Sequence, residues 1–530
     1  MDLYEELAVA SIFVLVSIIV LYVFRKLLED RKRKSINDSI SAKSGHYWTR
    51  VDFVDRGFFC GSCKTHLLSG YECDYCTLKV DEVACARSIA DKITCKTVQK
   101  PDNDGNFKHH WIPGNIDSDQ FCFVCDELCG GGVSLRDHSC CLCWRVVHSS
   151  CMKKLSSSIC DFGPYRSFTF PPDSVITRKT AKKLVIDKII LPKQEDFKPI
   201  IALTNTVCGS CTGKVVYRNF LRHLHPKQVI DVQKENVKSA LQWIDDHPEV
   251  DVRLVVAGGD GTISNILETL EQFQRRPPMA VLPLGTGNDL SRVLGWGSGT
   301  NGDLDILEYL NDVHAAEVQK LDRWKVMIKS KNQFGRRTVV TNMKMSNYVS
   351  IGVDASVTFG MQTTRKSIPK VLSSRLLNKL LFFSFGTKDV FTRTCKGLRD
   401  NISLYLDDKL IELPGIEGIV FLNIQCWGAG VQPWKYADEE YPQKIDDGVF
   451  EVFAVTSSFH IAQMQVGLAS PLFIGQAKKA VVVTKNGAVL PMQCDGEAWM
   501  QTRCEFHLTY HGESHMLKKV ESPSDPRTFF

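Results

Sequence analysis

The sequence predicts a multidomain protein: an N-terminal transmembrane helix, two small zinc-bound modules, a doubly wound α/β domain and a β-rich sandwich domain. Three observations lead to this prediction. An apolar run opens the chain, close cysteine pairs crowd the stretch between Cys60 and Cys160, and strand and helix patterns alternate after residue 197. The chain has 530 residues, and at roughly 100–200 residues per domain that length allows about three or four domains.

The composition is that of an ordinary globular protein. Hydrophobic residues make up 44% and charged residues 24% of the chain. The net charge is only +5, so the charge balance does not predict a nucleic-acid partner. A secreted protein would use the 20 cysteines for disulfides. No secretory signal is present, so metal ligation is the better interpretation.

An apolar run at 7–24 is interrupted only by Ser11 and Ser17. Its length is just sufficient to cross a bilayer core of about 30 Å. Acidic residues precede it and a basic cluster at 25–34 follows it, which is the opposite of the charge order in a cleavable signal peptide. The positive-inside rule then predicts one membrane segment, spanning the bilayer or dipping into it, with the rest of the chain in the cytoplasm. The expected membrane is that of the endoplasmic reticulum or the plasma membrane. A buried core helix is the alternative.

After the cysteine-rich part, the hydrophobic pattern predicts alternating strands and helices, and then strands alone. Strands at 199–204, 252–257 and 279–283 alternate with helices at 235–246 and 264–273, which is typical of a parallel, doubly wound sheet. From about residue 321 onward, apolar and polar residues alternate, which predicts an antiparallel sandwich. The predicted domains are 7–24 (membrane segment), 45–96 and 108–161 (zinc modules), 197–318 (α/β domain) and 319–515 (β-rich domain).

The second cysteine-rich module has the spacing of two tetrahedral zinc sites, because it supplies eight thiolate and imidazole ligands. These ligands are His109, Cys122, Cys125, Cys140, Cys143, His148, Cys151 and Cys160. The spacing resembles that of the C1 family, in which the ligands of two sites interleave. The resemblance implies one zinc ion on His109, Cys140, Cys143 and Cys160 and another on Cys122, Cys125, His148 and Cys151.

The first module is a looser version of the same pattern. Its candidate zinc ligands are His46, Cys60, Cys63, Cys73, Cys76, Asp81, Cys85 and Cys95. Asp81 stands where the C1 family has its second histidine, and the gap from there to Cys85 is one residue longer than in that family. Aspartate can ligate zinc. Either module can serve a structural role alone or can also bind lipid, and the zinc frame does not distinguish the two.

Two glycine-rich segments follow predicted strands and predict phosphate binding. The first runs Gly258-Gly259-Asp260-Gly261-Thr262, and the second runs Gly285-Thr286-Gly287-Asn288-Asp289. Glycines let a ligand approach the backbone closely, and the N-terminus of a following helix favours phosphate. Neighbouring parallel strands end at one edge of a sheet, so both segments should line one crevice. The chain has no Walker A spacing. For either segment alone, a plain tight turn is the alternative.

The GGDGT segment followed by LPLGTGNDLSRVLGWG resembles the catalytic domain of the diacylglycerol kinases. The resemblance continues through 321–325, 446–448 and 491–497 and covers about 45–515. A hydrophobic N-terminal segment, two C1-like modules and a kinase core with no other insert are similar to the epsilon type (type III) of that family. One segment departs from the pattern, because 205–213 lacks the family's Pro and Ser. Asn205, Gly209 and Gly213 would then bind ATP mainly through the backbone.

The resemblance implies ATP-dependent phosphorylation of membrane diacylglycerol to phosphatidic acid, with a preference for arachidonoyl species through residues 370–386. It implies that Mg²⁺ is held by Asp260, Asp289 and Asp322, that ATP lies on the glycine segments and that Zn²⁺ is structural. The general base is Asp260 or Glu497. A sphingoid or ceramide kinase is one alternative, and a C1-type lipid-binding scaffold with an inactive kinase core is the other.

Overall fold

The computed structural model describes residues 37, 44–53, 57–117, 119–130, 135–155, 157–179, 184–192, 194, 196–209, 212–299, 304–331, 338–367, 395–435, 442–485 and 487–520. The chain forms two compact units. The first contains Met1–Phe197 together with Arg218–Gln228, and the second contains Lys198–Tyr217 together with Val229–Phe530.

The predicted membrane segment at 7–24 lies outside the described residues. A helix needs about 20 predominantly apolar residues to span a bilayer, and no helix in the described part of the chain is long and apolar enough to do so. The longest of those helices, Val353–Ser367, has 15 residues. This finding contradicts the predicted membrane location through a single N-terminal transmembrane segment.

Short strands build the two cysteine-rich modules of the first unit. The elements of this unit are β1 (Trp48–Asp52), β2 (Phe58–Phe59), β3 (His66–Leu67), β4 (Ser69–Cys73), β5 (Lys79–Val80), α1 (Val83–Ala90), β6 (Trp111–Pro113), β7 (His138–Cys140), β8 (Val146–Val147), β9 (Val175–Lys179) and β10 (Leu184–Ile189). One sheet has the order β1-β4-β5 and another the order β6-β7-β8. Every described cysteine of the two modules is a free thiol. Modules this small usually need a metal or a disulfide for stability.

A parallel sheet with helices begins the second unit. Its elements are β11 (Ile200–Thr204), the first half of α2 (Thr212–His223), β12 (Val229–Asp231), α3 (Val237–Leu241), β13 (Arg253–Gly258), α4 (Asp260–Leu270), β14 (Met279–Pro283), α5 (Asp289–Val293) and α6 (Ile306–Ala315). The strand order β12-β11-β13-β14 is parallel throughout, which confirms the prediction. The helix predicted at 264–273 begins earlier, at Asp260.

The remaining elements of the second unit are mainly antiparallel strands. They are β15 (Glu317–Lys331), β16 (Thr338–Met345), β17 (Tyr348–Gly352), α7 (Val353–Ser367), α8 (Leu398–Asn401), β18 (Ile402–Leu406), β19 (Lys409–Ile411), β20 (Gly418–Leu422), β21 (Phe450–Val455), α9 (Ser458–Gln465), β22 (Leu472–Ala477), β23 (Lys479–Thr484), β24 (Leu490–Cys494), β25 (Glu497–Gln501) and β26 (Cys504–Lys518). β26 pairs with β15 and β23, and Met516 meets Met279 of β14 in parallel. The parallel sheet therefore continues directly into the antiparallel one.

Two facing sheets enclose the core of this β-rich part. The second sheet has the order β22-β21-β20-β17-β24-β25, and its inward side chains pack against those of β15, β18, β23 and β26. The ring of Trp324 meets Phe450 edge-on at 4.8 Å between centroids, and Phe421 stacks on Phe506 at 5.8 Å. The predicted antiparallel sandwich is thus present. The bend before β17 lies beside the first residue of α4, because Asn347 Nδ2 donates to Asp260 Oδ1 at 3.3 Å.

Candidate active site and zinc clusters

Three glycine-bearing segments meet at the carboxyl ends of β11, β13 and β14. The N–H of Asn205 donates to Ala257 O at 2.9 Å, and the Nδ2 of Asn205 donates to Thr262 Oγ1 at 2.9 Å. A Cβ atom on Gly285 would lie 2.8 Å from the Cα of Gly259, so two of the segments touch through their backbones. The predicted crevice is therefore present, and these positions require glycine because no Cβ fits there.

Two glycines shape the segment that departs from the family pattern. Gly209 has a φ of +62°, and a Cβ on it would lie 3.0 Å from Leu284 O. A Cβ on Gly213, in the first turn of α2, would lie only 2.2 Å from Asn205 O. The tight bend therefore survives without the Pro and Ser of the pattern, because backbone packing enforces it.

Replacing Gly213 by alanine should destabilise the second unit by about 1–3 kcal/mol, because the new methyl group must push the backbone of the phosphate segment aside. Gly261→Ala is the matched control. It also lies in the first turn of a helix, α4, and a Cβ there meets nothing within 4 Å, so we expect a gain of up to about 1 kcal/mol from helix propensity. Urea unfolding of both variants measures this difference. Equal changes in stability would contradict the close contact at Gly213.

The side chain of Asn288 braces its own loop. Its backbone is left-handed, with a φ of 53°, a conformation that asparagine tolerates. Its Oδ1 accepts from the N–H of Gly285 at 3.0 Å, and its Nδ2 donates to Gly285 O and Ser298 O, both at 2.9 Å. A ligand would therefore meet this loop through the backbone of Gly287 and the side chain of Thr286, which line the adjacent cleft.

Three carboxylates, those of Asp260, Asp289 and Asp495, line one cleft beside these loops. Asp260 Oδ2 accepts from the N–H of Asn288 at 3.1 Å, and its Oδ1 accepts from Asn347 Nδ2 at 3.3 Å. Burial, followed by repulsion from Asp289 and Asp495, raises the pKa of Asp260 to about 7. Near neutral pH this carboxyl group is therefore balanced between its protonated and charged forms.

Asp289 is buried, and only one of its two carboxylate oxygens accepts a hydrogen bond from a described residue. Its Oδ2 accepts from the N–H of Ala429 at 3.2 Å. Its Oδ1 is buried and has no hydrogen-bond partner among the described residues. Burial also raises the pKa of this carboxyl group. An unpartnered carboxylate oxygen at the edge of a cleft fits a divalent cation, since Mg²⁺ takes oxygen ligands and usually only one or two carboxylates.

Asp495 is a cleft residue that the sequence did not single out. Its Oδ1 accepts from the N–H groups of Asn347 at 2.8 Å and Tyr348 at 3.0 Å, and its Oδ2 accepts from the N–H of Ser346 at 2.7 Å. These bonds hold the bend between β16 and β17, from which the side chain of Asn347 reaches Asp260. The available signal was the Asp-Gly pair, which favours a tight hairpin turn. The φ of Asp495 is indeed positive, at 46°.

The cleft has a volume of about 1080 Å³ and a lining of two kinds. Polar groups come from the glycine loops and from Arg292, which the sequence motifs also did not single out. Its Nε donates weakly to Gly287 O at 3.5 Å. The apolar part of the lining is Met361, Val431, Pro433, Met464, Val466, Leu468 and Pro471. A smaller pocket of about 410 Å³ borders Asn205 and Thr262 and is lined mainly by polar side chains.

Two predicted site residues are not brought into the cleft. Glu497 opens β25 opposite Cys494, is exposed and is not among the residues that line the cleft. Asp322 is buried on β15, and its Oδ2 accepts from the N–H of Gly448 at 2.7 Å. Burial, and then the charges of Asp447 and Glu513, raise the pKa of Asp322. The structure therefore joins Asp289 with Asp260 but leaves Asp322 in a separate acidic environment.

Three groups of four ligands suit tetrahedral zinc. They are His46, Cys73, Cys76 and Cys95; His109, Cys140, Cys143 and Cys160; and Cys122, Cys125, His148 and Cys151. The sulfur atoms of Cys73 and Cys95 are 4.0 Å apart, which is consistent with Zn–S bonds of about 2.3 Å. The Nε2 of His46 lies 2.9 Å from Ile93 O, leaving Nδ1 to face the thiols of the group. Both groups implied for the second module are thus assembled.

The fourth group contains only three ligands, Cys60, Cys63 and Cys85. The carboxylate of Asp81 does not join it. Instead, the backbone N–H of Asp81 donates to Cys60 Sγ at 3.3 Å. Among the described residues this group therefore offers three thiolates, and a zinc ion there would need a fourth ligand such as water.

We expect the zinc ion of this three-thiolate group to be the first that a chelator removes, because an open position admits a competing ligand. Release can be followed with a coloured zinc indicator on the intact chain. Cys85→Ala should abolish the fast-released equivalent, whereas Asp81→Ala should leave the zinc content unchanged. A loss of zinc in Asp81→Ala equal to that in Cys85→Ala would show that the aspartate is a ligand after all.

Two family profiles match successive parts of this chain. The family profile "Diacylglycerol kinase catalytic domain" matches residues 199–321, and the profile "Diacylglycerol kinase accessory domain" matches 344–498. Probable diacylglycerol kinase 3 of Caenorhabditis elegans is 29% identical over 522 residues, which are 89% of this chain and 64% of the relative. Diacylglycerol kinase 2 of Arabidopsis thaliana is 28% identical over 564 residues, which cover 84% of this chain and 77% of the relative. Human diacylglycerol kinase theta is 31% identical over 371 residues, which cover 67% of this chain and 39% of the relative.

The chain thus spans less than two thirds of the C. elegans and human relatives. Among solved structures, a diacylglycerol kinase from Bacillus anthracis str. Sterne is 17% identical with a TM-score of 0.37, covering 62% of this chain and 99% of that one. Yeast NADH kinase complexed with NADH is 11% identical with a TM-score of 0.30, covering 65% and 89%. The matched catalytic and accessory profiles, which together span more than half of the chain, place it in the diacylglycerol kinase family.

Proposed function

We propose that this chain transfers the γ-phosphate of ATP to the hydroxyl group of diacylglycerol and so forms phosphatidic acid. One observation carries the proposal. Asp260, whose pKa is about 7, lies where the glycine loops meet a cleft with a polar and an apolar lining. Such a cleft suits an acceptor with a polar head and apolar chains, and the loops suit the phosphates of a nucleotide.

The nucleotide would lie across the three glycine segments. The smaller polar pocket beside Asn205 and Thr262 is adjacent to these segments and suits a ribose and a base. The close backbone approach at Gly259 and Gly285 leaves main-chain N–H groups as phosphate donors, and α4 begins there with its N-terminus. The segment 205–213 would contribute shape and backbone groups rather than charge.

Asp289 is the residue that best fits a magnesium ion, with Asp260 beside it. The support is its buried and unpartnered Oδ1. A bound Mg²⁺ ion would neutralise charge on the transferring phosphate. Arg292 lines the same cleft and would add a fixed positive charge close to it. Asp322 is left out of this proposed metal site because it lies in a different environment.

Asp260 is the proposed general base. It would accept the proton of the lipid hydroxyl as the oxygen–phosphorus bond forms and the bond between the β- and γ-phosphates breaks, with ADP as the leaving group. A pKa raised to about 7 suits this task, since a general base works best when its pKa lies near the operating pH. Its two hydrogen-bond donors, Asn288 and Asn347, would hold its orientation.

A lipid panel tests this function. Purified protein is incubated with labelled ATP and mixed micelles of diacylglycerol, sphingosine or ceramide, and we expect labelled phosphatidic acid only. Labelled sphingosine or ceramide phosphate would favour the sphingoid or ceramide kinase, and no labelled lipid would favour the inactive scaffold. The presence of Asp260, Asp289 and all three glycine segments supports the active enzyme over the scaffold.

Two more specific proposals concern the type within the family and the preferred acyl chain. Two cysteine-rich modules placed directly before the catalytic domain support the epsilon type within the family. A preference for arachidonoyl species would follow from that type, and the region 370–386 that would carry it lies outside the described residues. Comparing turnover on arachidonoyl and fully saturated diacylglycerol tests both proposals, since equal rates would remove the support for this preference.

A further inference from the structure

Helix α9 and the loop that follows it present large apolar side chains to solvent. Val466 and Leu468 line the cleft, yet they are 69% and 77% exposed. They therefore lie at the border between the cleft and the surroundings. Phe459 of α9 and Phe473 of β22 are 61% and 41% exposed. We name these four side chains the apolar rim.

The segment that carries the apolar rim has no charged side chains. From Val452 to Ala477 the chain contains no Lys, Arg, Asp or Glu. Exposed surface is normally rich in these residues, and a contiguous apolar patch on it marks an interaction site. The absence of charge also indicates what this surface meets, because burying it in an apolar medium desolvates no ionised group.

The apolar rim is held outward by hydrogen bonds. His460 accepts from the N–H of Thr456 at 3.2 Å through Nδ1, and its Nε2 donates to Ser470 O at 2.8 Å. The N–H of Leu468 donates to Gln463 O at 2.8 Å. A left-handed Gly467, with a φ of 74°, makes the turn between them. The loop is therefore a closed, braced turn whose apolar side chains stay exposed in a fixed arrangement.

We propose that the apolar rim docks on a lipid bilayer and opens the cleft directly to it. The inference rests on the proposed function, since the acceptor would be a lipid that has to leave a membrane. Because Val466 and Leu468 belong both to the apolar rim and to the cleft lining, a lipid could pass from the bilayer to the cleft without exposing its chains to water. Shallow insertion of aromatic and aliphatic side chains is how interfacial helices bind membranes.

Hydrogen exchange on the intact chain locates the docking surface. With phosphatidylcholine vesicles present, we expect the amides of 458–473 to exchange at least about fivefold more slowly, and those around Leu410 to be unaffected. Leu410 is also an exposed apolar residue, at 65%, but it lies on β19 and does not line the cleft. Unchanged exchange at 458–473 would overturn the proposal. Protection that depends on protein concentration and not on vesicles would show self-association instead, and would also overturn it.

A variant outside the cleft lining tests the consequence for turnover. Phe459→Ser should lower the rate on vesicle-borne diacylglycerol about fivefold or more and leave the rate on a water-soluble, short-chain diacylglycerol unchanged. Leu410→Ser should change neither rate. If the wild type shows vesicle-dependent protection at 458–473 but phosphorylates neither substrate, the proposed function fails while the docking surface stands. If Phe459→Ser lowers both rates equally, docking is not what Phe459 contributes, and the proposal is overturned.

Discussion

Replacing Asp260 by asparagine should lower kcat by at least about 100-fold, because general-base catalysis typically contributes about 10²–10⁴-fold. In the wild type, kcat/KM, which reports the pKa values of the free enzyme, should rise about tenfold per pH unit below pH 7 and level off above it. The reason is that only the charged carboxylate accepts a proton, and the pKa of Asp260 is about 7. Asp260→Asn should lose this pH dependence.

Glu497→Gln is the control for this assignment. Glu497 is exposed and does not line the cleft, so its amide variant should retain far more turnover than Asp260→Asn and keep the wild-type pH profile. A loss of turnover in Glu497→Gln with a near-normal rate in Asp260→Asn would make Glu497 the base.

Asp260→Asn should also change the free energy of unfolding, and the size of the change should depend on pH. Folding raises the pKa of Asp260 from the ordinary value of 3.8 to about 7, so the folded state holds this proton more tightly than the unfolded state. The charged form of Asp260 therefore opposes folding. The contribution of Asp260 to the free energy of unfolding falls as the pH rises from about 4 through 7. At about 1.4 kcal/mol per pKa unit, Asp260→Asn should be up to a few kcal/mol more stable than the wild type at pH 8. Near pH 4 the gain should vanish. Denaturation without added magnesium measures this, and equal stabilities at both pH values would contradict the burial of a charged Asp260.

The second large effect is expected at Asp495. Asp495→Asn keeps the volume of the side chain, but it replaces a carboxyl group that accepts from three backbone N–H groups with an amide that has only one acceptor atom. Burial raises the pKa of Asp495, so its charge does not by itself stabilise the fold. The loss comes from the amide Nδ2, a donor that leaves backbone N–H groups unpaired, and each buried unpaired donor costs about 1–3 kcal/mol. We expect a loss of about 2–4 kcal/mol in the free energy of unfolding, and a kcat at least about tenfold lower because Asn347 no longer holds Asp260.

Asp407 offers a matched control for Asp495. It also sits in a hairpin turn with a positive φ, of 47°, and accepts from two backbone N–H groups, those of Lys478 and Lys479. It is exposed and remote in sequence from every residue that lines the cleft. Asp407→Asn should lower stability by about 1 kcal/mol or less and leave kcat unchanged. If Asp495→Asn is as stable as the wild type but inactive, Asp495 acts in the chemistry and the positioning role is wrong.

Local patterns could be predicted from the sequence because their causes are local. The strand at Met279–Pro283 has the predicted bounds, since its apolar run is short and bounded by turn residues. The glycine loops were found because glycine is required wherever a Cβ would clash, as at Gly285. The eight candidate zinc ligands of the second module were found from their spacing, and their division into two groups was implied by the resemblance to the C1 family.

Long-range relations could not be predicted in the same way. Nothing in the sequence near Met516 indicates that β26 joins the parallel sheet at Met279. Asp495 is indistinguishable from an ordinary turn aspartate until the bend at Ser346 is placed against it. Glu497, two residues later, is exposed, and the motif alone does not reveal that the two carboxylates of this turn have different surroundings. The exposed apolar residues at Val466 and Leu468 are equally compatible with a buried core when only the sequence is known.

The most direct test of the central claim follows the phosphoryl group itself. The wild type and Asp260→Asn are incubated with ATP labelled with heavy oxygen on the γ-phosphate and with diacylglycerol in mixed micelles, and the products are weighed by mass spectrometry. We predict phosphatidic acid that carries every labelled terminal oxygen, with an unlabelled oxygen bridging to the glycerol, and almost none of it from Asp260→Asn. Labelled inorganic phosphate with no labelled lipid would contradict transfer to diacylglycerol.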